Sequence, residues 1–202
     1  MKIPRVGITG GIGSGKSTVC RIFHGAFGIP VFYADIQAKY LIETDPDLQR
    51  GIIQIFGPEA YTTEGLYNRS YVAGIAFSHP ESLKALNALV HPAVEAESKA
   101  WHERQAQAGA PYTLKEAALM IESGSHLHLD FLIVVTAPEP IRIRRVMERD
   151  QLSEEQVRAR IRGQLPEAEK VALAQFVVVN DGDQLLLPQI WAAHQRILKL
   201  QN

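Results

Sequence analysis

Residues 10–17 read Gly10-Gly11-Ile12-Gly13-Ser14-Gly15-Lys16-Ser17, a complete G-x-x-x-x-G-K-[ST] phosphate-binding loop. The apolar run Val6-Gly7-Ile8-Thr9 precedes it, and the helix-like segment Thr18-Val19-Cys20-Arg21-Ile22-Phe23 follows. This strand, loop and helix context is what the motif requires. Glycine lets the backbone take conformations closed to residues with a Cβ, so successive N–H groups can turn inward around an anion. The following helix points its positive dipole end at the same charge. Gly11, Ile12, Gly13, Ser14, Gly15, Lys16, Ser17 and Thr18 are therefore expected to bind a nucleoside triphosphate. Lys16 would reach the β- and γ-phosphates, and the Ser17 hydroxyl would be a Mg²⁺ ligand.

The rest of the chain extends this pattern. Val6 to Thr9, Phe131 to Val135 and Phe176 to Val179 are short β-branched runs bounded by turn residues, as buried parallel strands are. Val31-Phe32-Tyr33 and a run within Tyr112 to Met120 are weaker candidates. Helix-length segments separate them, which predicts an α/β fold with a parallel sheet flanked by helices. Ligands of such sheets bind beyond the carboxyl ends of the strands. The phosphate loop lies there, and Asp35 would emerge there too.

Residues 36–109 carry helical periodicity and almost no strand signal, so a helical insertion is expected, dividing a core of residues 1–35 and 110–202. Within it, Ser78-His79-Pro80-Glu81 predicts a helix start, and Pro92 predicts the start of a second helix ending near Gln107. A further helical excursion, about 140–170, has Ser153 and Gln156 at capping-box spacing. It holds seven arginines between residues 142 and 162 and no lysine there, interleaved with Glu148, Asp150, Glu154 and Glu155. The arginine fork suits phosphate oxygens, so this segment reads as a lid with at least one arginine over the phosphates.

Composition narrows the class. The 202 residues carry a formal net charge of -1, with 46% hydrophobic and 21% charged residues, an ordinary globular balance that implies no polyanion-binding surface. No apolar run approaches membrane-spanning length and the phosphate loop starts within ten residues, so a cytoplasmic location, no membrane and no nucleic acid are expected. The single cysteine, Cys20, has helical spacing from Phe23 and Phe27 and reads as a small buried hydrophobe. His126 and His128 lack a companion cluster and read as surface residues. Asn-Lys-x-Asp and Asp-x-x-Gly elements are absent, which disfavours a signalling GTPase, and Thr113-Leu114-Lys115-Glu116 makes a poor match to the acidic strand of a motor ATPase. A small-molecule kinase remains, whose lid would close to exclude water.

Thr9 to Val19 resembles the opening of dephospho-CoA kinases, which phosphorylate the ribose 3′-hydroxyl of dephospho-CoA in the last step of coenzyme A synthesis. Further matches follow in order: Tyr33-Ala34-Asp35, Leu89-Val90-His91-Pro92, Leu119 to Glu122, Arg149-Asp150, Arg160 with Gln164, and Asn180. The resemblance implies a P-loop kinase fold with a helical acceptor-binding insertion and a helical lid, with ATP, Mg²⁺ and dephospho-CoA as ligands. It also implies catalytic roles for Asp35, Lys16 and Arg149, nucleotide contact by Asn180, and acceptor contacts by Thr9, Asp35, His91, Glu122 and Arg160. Two departures stand out. Tyr33 replaces the first acid of the family's Asp-x-Asp, and Glu116-Ala117-Ala118 stands in place of Asp-x-Pro, leaving Glu116 beside Ser17 as the metal-side candidate. Asp35 could also cap a helix starting at Ile36. A nucleotide kinase with another acceptor, and a nucleotide-binding regulatory protein without one, are the competing readings.

Overall fold

The computed structural model describes residues 3–201. Five strands form one sheet: β1 (Arg5–Thr9), β2 (Val31–Tyr33), β3 (Thr113–Glu116), β4 (Phe131–Thr136) and β5 (Phe176–Val179). All pair in parallel, in the order β2-β3-β1-β4-β5. Val6, Ile8, Leu114, Ile133, Val135 and Val178 are buried along it, which accounts for their nearly continuous apolar runs. The expected run within Tyr112 to Met120 contracts to four residues, because the chain leaves the sheet at Ala117.

Helix α1 (Lys16–Phe27) follows the phosphate loop and buries Val19, Cys20 and Phe23 against the sheet, together with Ile190, Ala193 and Ile197 of the last helix (Leu186–Leu198). Its first residue is preceded by Gly15 in the left-handed region, and Gly28, also left-handed, ends it. Cys20 is fully buried, and burial followed by the nearby Glu116 charge pushes its thiol far above the ordinary range. The buried small-hydrophobe reading is the observed one. A second buried polar group, His194, stacks on Phe27 at a centroid distance of 4.4 Å and bonds the Tyr112 hydroxyl at 2.7 Å.

The chain divides into two compact units. The first contains the sheet and takes in the chain up to Tyr33 and from Trp101 onward. The second, Ala34–Ala100, is helical: α2 (Ala34–Thr44), α3 (Pro46–Phe56), α4 (Arg69–Ser78) and most of α5 (Pro80–Gln107). Asp45 caps α3 by accepting from the Asp47 and Leu48 amides, with Pro46 at the first helical position. Ile52, Phe56, Ala60 and Val72 form this unit's own core. Gly51 lets Leu89 approach so closely that a Cβ would fall 2.6 Å from Leu89 Cδ2.

Two expectations are corrected here. Pro92 does not open a helix but lies inside α5, which runs unbroken from Pro80 to Gln107. Its missing N–H costs the Ala88 carbonyl one ladder bond, a loss the exposed position of Pro92 leaves to water. Asp35 is not an N-cap either, since α2 begins one residue earlier and Asp35 sits exposed in its first turn, where the helix dipole favours an acid.

The excursion after β4 resolves into α6 (Glu139–Asp150), α7 (Glu154–Arg162) and α8 (Glu167–Leu173). The Ser153–Gln156 capping box is present in both directions. Ile143, Val146 and Val157 form the α6–α7 core, with Ile12 of the phosphate loop packed against it. The turn between these helices is made by Gln151, at φ 55° the only non-glycine residue of positive φ among the described residues. A Cβ there costs energy, partly offset by the extra freedom glycine gives the unfolded chain. Gln151→Gly is therefore expected to raise stability by about 0.5 kcal/mol, or roughly 1–2 °C in Tm; calorimetry showing a lowered Tm would count against strain at this turn.

Candidate active site

The phosphate loop is held in a socket that only glycines fit. A Cβ on Gly10 would fall 2.1 Å from the Val135 carbonyl oxygen, on Gly13 2.5 Å from the Arg142 carbonyl oxygen, and on Gly15 2.1 Å from Asn180 Nδ2. All three glycines have positive φ. Gly11 is constrained differently, because the Arg142 guanidinium occupies the place of its missing side chain, 2.0 Å from where a Cβ would lie. The Ser14 amide donates to the Gly11 carbonyl at 3.1 Å, closing the turn, while the buried Ser14 hydroxyl has no partner among the described residues. Such a cradle, at the amino end of α1 and with a buried polar hydroxyl unspent, fits a phosphate group.

Lys16 is buried and folds back over the loop, donating from Nζ to the carbonyls of Gly10 at 3.1 Å and Gly11 at 3.4 Å. Ser17 and Thr18 follow in the first turn of α1, Ser17 exposed. Asn180 acts as a strut: its Nδ2 donates to the Ser14 carbonyl at 2.8 Å, and its own carbonyl accepts from Arg145 at 3.1 Å. Thr9 is buried at the end of β1, with its hydroxyl 3.5 Å from the Ala118 carbonyl.

Glu116 does not end its strand as an exposed acid. It is buried at the carboxyl end of β3, in register with Ile8 of β1 and Tyr33 of β2. Burial first, then the nearby Glu116 charge, raises the Tyr33 phenol above its ordinary value. Tyr33 thus stands beside an existing carboxylate, a place where a second acid would be costly.

The remaining positions fall into two groups. Asp35 and His91 belong to the helical unit, Asp35 in α2 and His91 exposed in α5. Arg149, Arg160 and Glu122 belong to the sheet unit. Arg149 grips Asp150 with both Nε at 2.7 Å and Nη2 at 2.9 Å, and Arg160 reaches the same carboxylate at 3.2 Å. The Arg149 hydrogen bond, above all, holds the Asp150 carboxyl below the usual range. Arg158 is spent on Glu154 and Glu139. Glu122 forms an ion pair with the fully buried Lys170 ammonium at 2.7 Å and accepts from the Leu165 amide at 2.9 Å, so it ties α8 to the core.

Three residues approach the loop that the sequence did not single out for it: Arg142, Arg145 and Gln164. Arg142 and Arg145 lie three apart on one face of α6, a spacing that separates them from the other five arginines only once the facing surface is known. The Gln164 Oε1 accepts from the Ile12 amide at 2.8 Å. A cleft of about 550 Å³ lined by Gly11, Arg142, Arg162, Gln164, Glu167 and Lys170, among others, opens beside the loop. No group of three or more His, Cys, Asp or Glu side chains among the described residues could hold a metal by itself, His126 and His128 included.

The sequence profile of the dephospho-CoA kinase family matches residues 5–185. The chain belongs to the dephospho-CoA kinase family. A Salinibacter ruber dephospho-CoA kinase is 42% identical over 177 residues, covering 88% of each chain. Among solved structures, a Thermus thermophilus protein is similar over 100% of both chains, with 38% identity and a TM-score of 0.81. A Campylobacter jejuni dephospho-CoA kinase is similar over 98% of both, with 25% identity and a TM-score of 0.71. The fold is accordingly that of a P-loop kinase. No helix among the described residues is long and apolar enough to cross a membrane.

The Glu122–Lys170 pair gives this dephospho-CoA kinase family member a measurable dependence on one carboxylate. Partial burial pushes the Glu122 carboxyl up, but the Lys170 and Leu165 hydrogen bonds and the Lys170 charge outweigh it and hold the group below its ordinary value. Its stabilisation is thus present above the ordinary Glu range and is lost as pH falls through the lowered value. Glu122→Gln would leave the buried Lys170 charge with Glu167 as its remaining carboxylate, at an expected cost of about 2–3 kcal/mol near neutral pH. Urea titrations at neutral and acidic pH check this: the gap between wild type and variant should narrow in acid, and equal stability at neutral pH would contradict it.

Proposed function

We propose that the chain transfers the γ-phosphoryl group of ATP to the ribose 3′-hydroxyl of dephospho-CoA, giving coenzyme A and ADP. The observation that carries this reading is the phosphate cradle, with Lys16 folded over it, in a chain of this family. The sugar oxygen forms a bond to the γ-phosphorus as the bond from phosphorus to the β–γ bridging oxygen breaks, and the hydroxyl proton passes to a carboxylate. Asp35 is the candidate for that carboxylate. It follows β2 by two residues in a parallel sheet whose carboxyl ends share one edge, and it is exposed. A carboxylate in that role aims the hydroxyl and takes its proton as transfer proceeds.

Lys16 would supply charge to the β- and γ-oxygens, and Arg149 would do so by exchanging Asp150 for phosphate. The Gly11 to Thr18 backbone and Asn180 would hold the nucleotide. Mg²⁺, when bound, would neutralise charge on the transferring group; Ser17 and Glu116 are the candidate residues on its side, and a magnesium ion characteristically keeps several waters besides such ligands. Thr9, His91, Glu122 and Arg160 would be the acceptor-side residues, with Glu122 also paired to Lys170. The helical unit, Ala34–Ala100, would grip the acceptor, and the protein would work in the cytoplasm with no nucleic-acid or membrane partner.

The test is kcat/KM for several acceptors at saturating MgATP. Dephospho-CoA should exceed AMP and adenosine by at least ~10²-fold, because remote binding energy orients the reacting hydroxyl. An equal or better small nucleotide would move the assignment to a general nucleotide kinase. Asp35→Asn should keep the MgATP Kd within about threefold and lower kcat by ~10²-fold; unchanged turnover would remove Asp35 from the chemistry.

A further inference from the structure

Two loop carbonyls hold Lys16, Gly10 at 3.1 Å and Gly11 at 3.4 Å, and the peptide group that carries the second is itself held by a side chain from the end of the lid. The Gly11 carbonyl and the Ile12 amide belong to one planar trans unit, so they point in opposite directions and turn together. On one side the carbonyl accepts the Lys16 ammonium at 3.4 Å and the Ser14 amide at 3.1 Å. On the other side the Ile12 amide donates to Gln164 Oε1 at 2.8 Å. Rotation of this unit would take the carbonyl from Lys16 and Ser14 at once.

Gln164 is itself held. The next amide along the chain, Leu165 N–H, is bonded to Glu122, and the same carboxylate pairs with Lys170 one helix further on. Gly163 closes α7 with its N–H on the Ala159 carbonyl, which fixes where the segment leaves the helix. The Ile12 side chain is packed on the α6–α7 core, so the residue is gripped at its side chain and at its amide by the same part of the chain.

We infer that Gln164 is a positioning residue for phosphate binding, acting through the Gly11–Ile12 peptide on Lys16. The inference rests on the reading of the loop as an ATP site. It follows that Gln164 matters to nucleotide affinity because it keeps the lysine aimed, and that its influence should vanish when the lysine is absent.

The test is a double-mutant cycle read by equilibrium titration of MgATP, using wild type, Gln164→Met, Lys16→Met and the double variant. Gln164→Met should weaken MgATP about tenfold in the wild-type background and less than about twofold in the Lys16→Met background. A loss at least about threefold larger with Lys16 present supports the inference; a smaller difference, or no loss at all, overturns it. Wild-type protein that fails to bind MgATP would instead end the reading of the loop, an outcome separate from the cycle. Hydrogen exchange on the unmodified ligand-free chain is a second reading that needs no variant. The Ile12 amide should be protected, and an amide exchanging at the rate of an unstructured peptide overturns the inference.

Discussion

The absence of side chains at four loop positions is the constraint on which the rest depends. Residues 10–15 wrap so tightly that a methyl group at Gly10 or Gly13 would overlap the backbone of Val135 or Arg142, at Gly15 it would meet the Asn180 side chain at a positive φ, and at Gly11 it would displace Arg142. Atoms this close leave the loop little freedom to relax, so its amides are oriented before any phosphate arrives. Preorganised dipoles are what make electrostatic stabilisation effective, since they need no rearrangement during the reaction. The buried sheet beneath supplies the stiffness: β1 lies between β3 and β4, with Val6 and Ile8 fully enclosed.

From this constraint the arginines of the lid acquire different jobs. Arg142 and Arg145 build the socket, one over Gly11 and the other through Asn180. Arg158 is a solvated link between Glu139 and Glu154. Arg149 and Arg160 share Asp150, and this exposed pairing is of the kind that contributes little to stability. A weak exposed ion pair can be given up to phosphate at small cost, whereas a pair that holds the fully buried Lys170 ammonium cannot. The lid therefore combines a fixed root at Glu122, Lys170 and Gln164 with guanidinium groups that are cheap to release.

The sequence disclosed the parts whose physics is local. The glycine loop, the β-branched strands and the Ser153–Gln156 capping box are each written in consecutive or closely spaced residues, and each is found in place. Pro92 misled because the rule for proline at a helix start is statistical, and α5 tolerates the lost bond on an exposed face. The burial of Glu116 was not legible in the sequence because it depends on the neighbours β1 and β2, which lie far away along the chain. Among seven arginines of equal propensity, only the packing of α6 against the loop separates Arg142 and Arg145 from the rest. Gln164 was visible as a motif residue, but its hydrogen bond to Ile12 spans a separation of 152 positions and has no local signature.

The most direct measurement is calorimetric titration of MgATP into wild type and Gly13→Ala, with a thermal melt of each. At Gly13 the added methyl would meet the Arg142 carbonyl oxygen and Cα, backbone atoms of a packed helix, at a φ of 79°. The account expects Gly13→Ala to remain folded, because the sheet and its core are untouched, and to lose at least ~10²-fold in MgATP affinity as the loop amides are turned from their common focus. A folded Gly13→Ala protein that binds MgATP as tightly as wild type would contradict the claim that the tightly socketed loop is the nucleotide site.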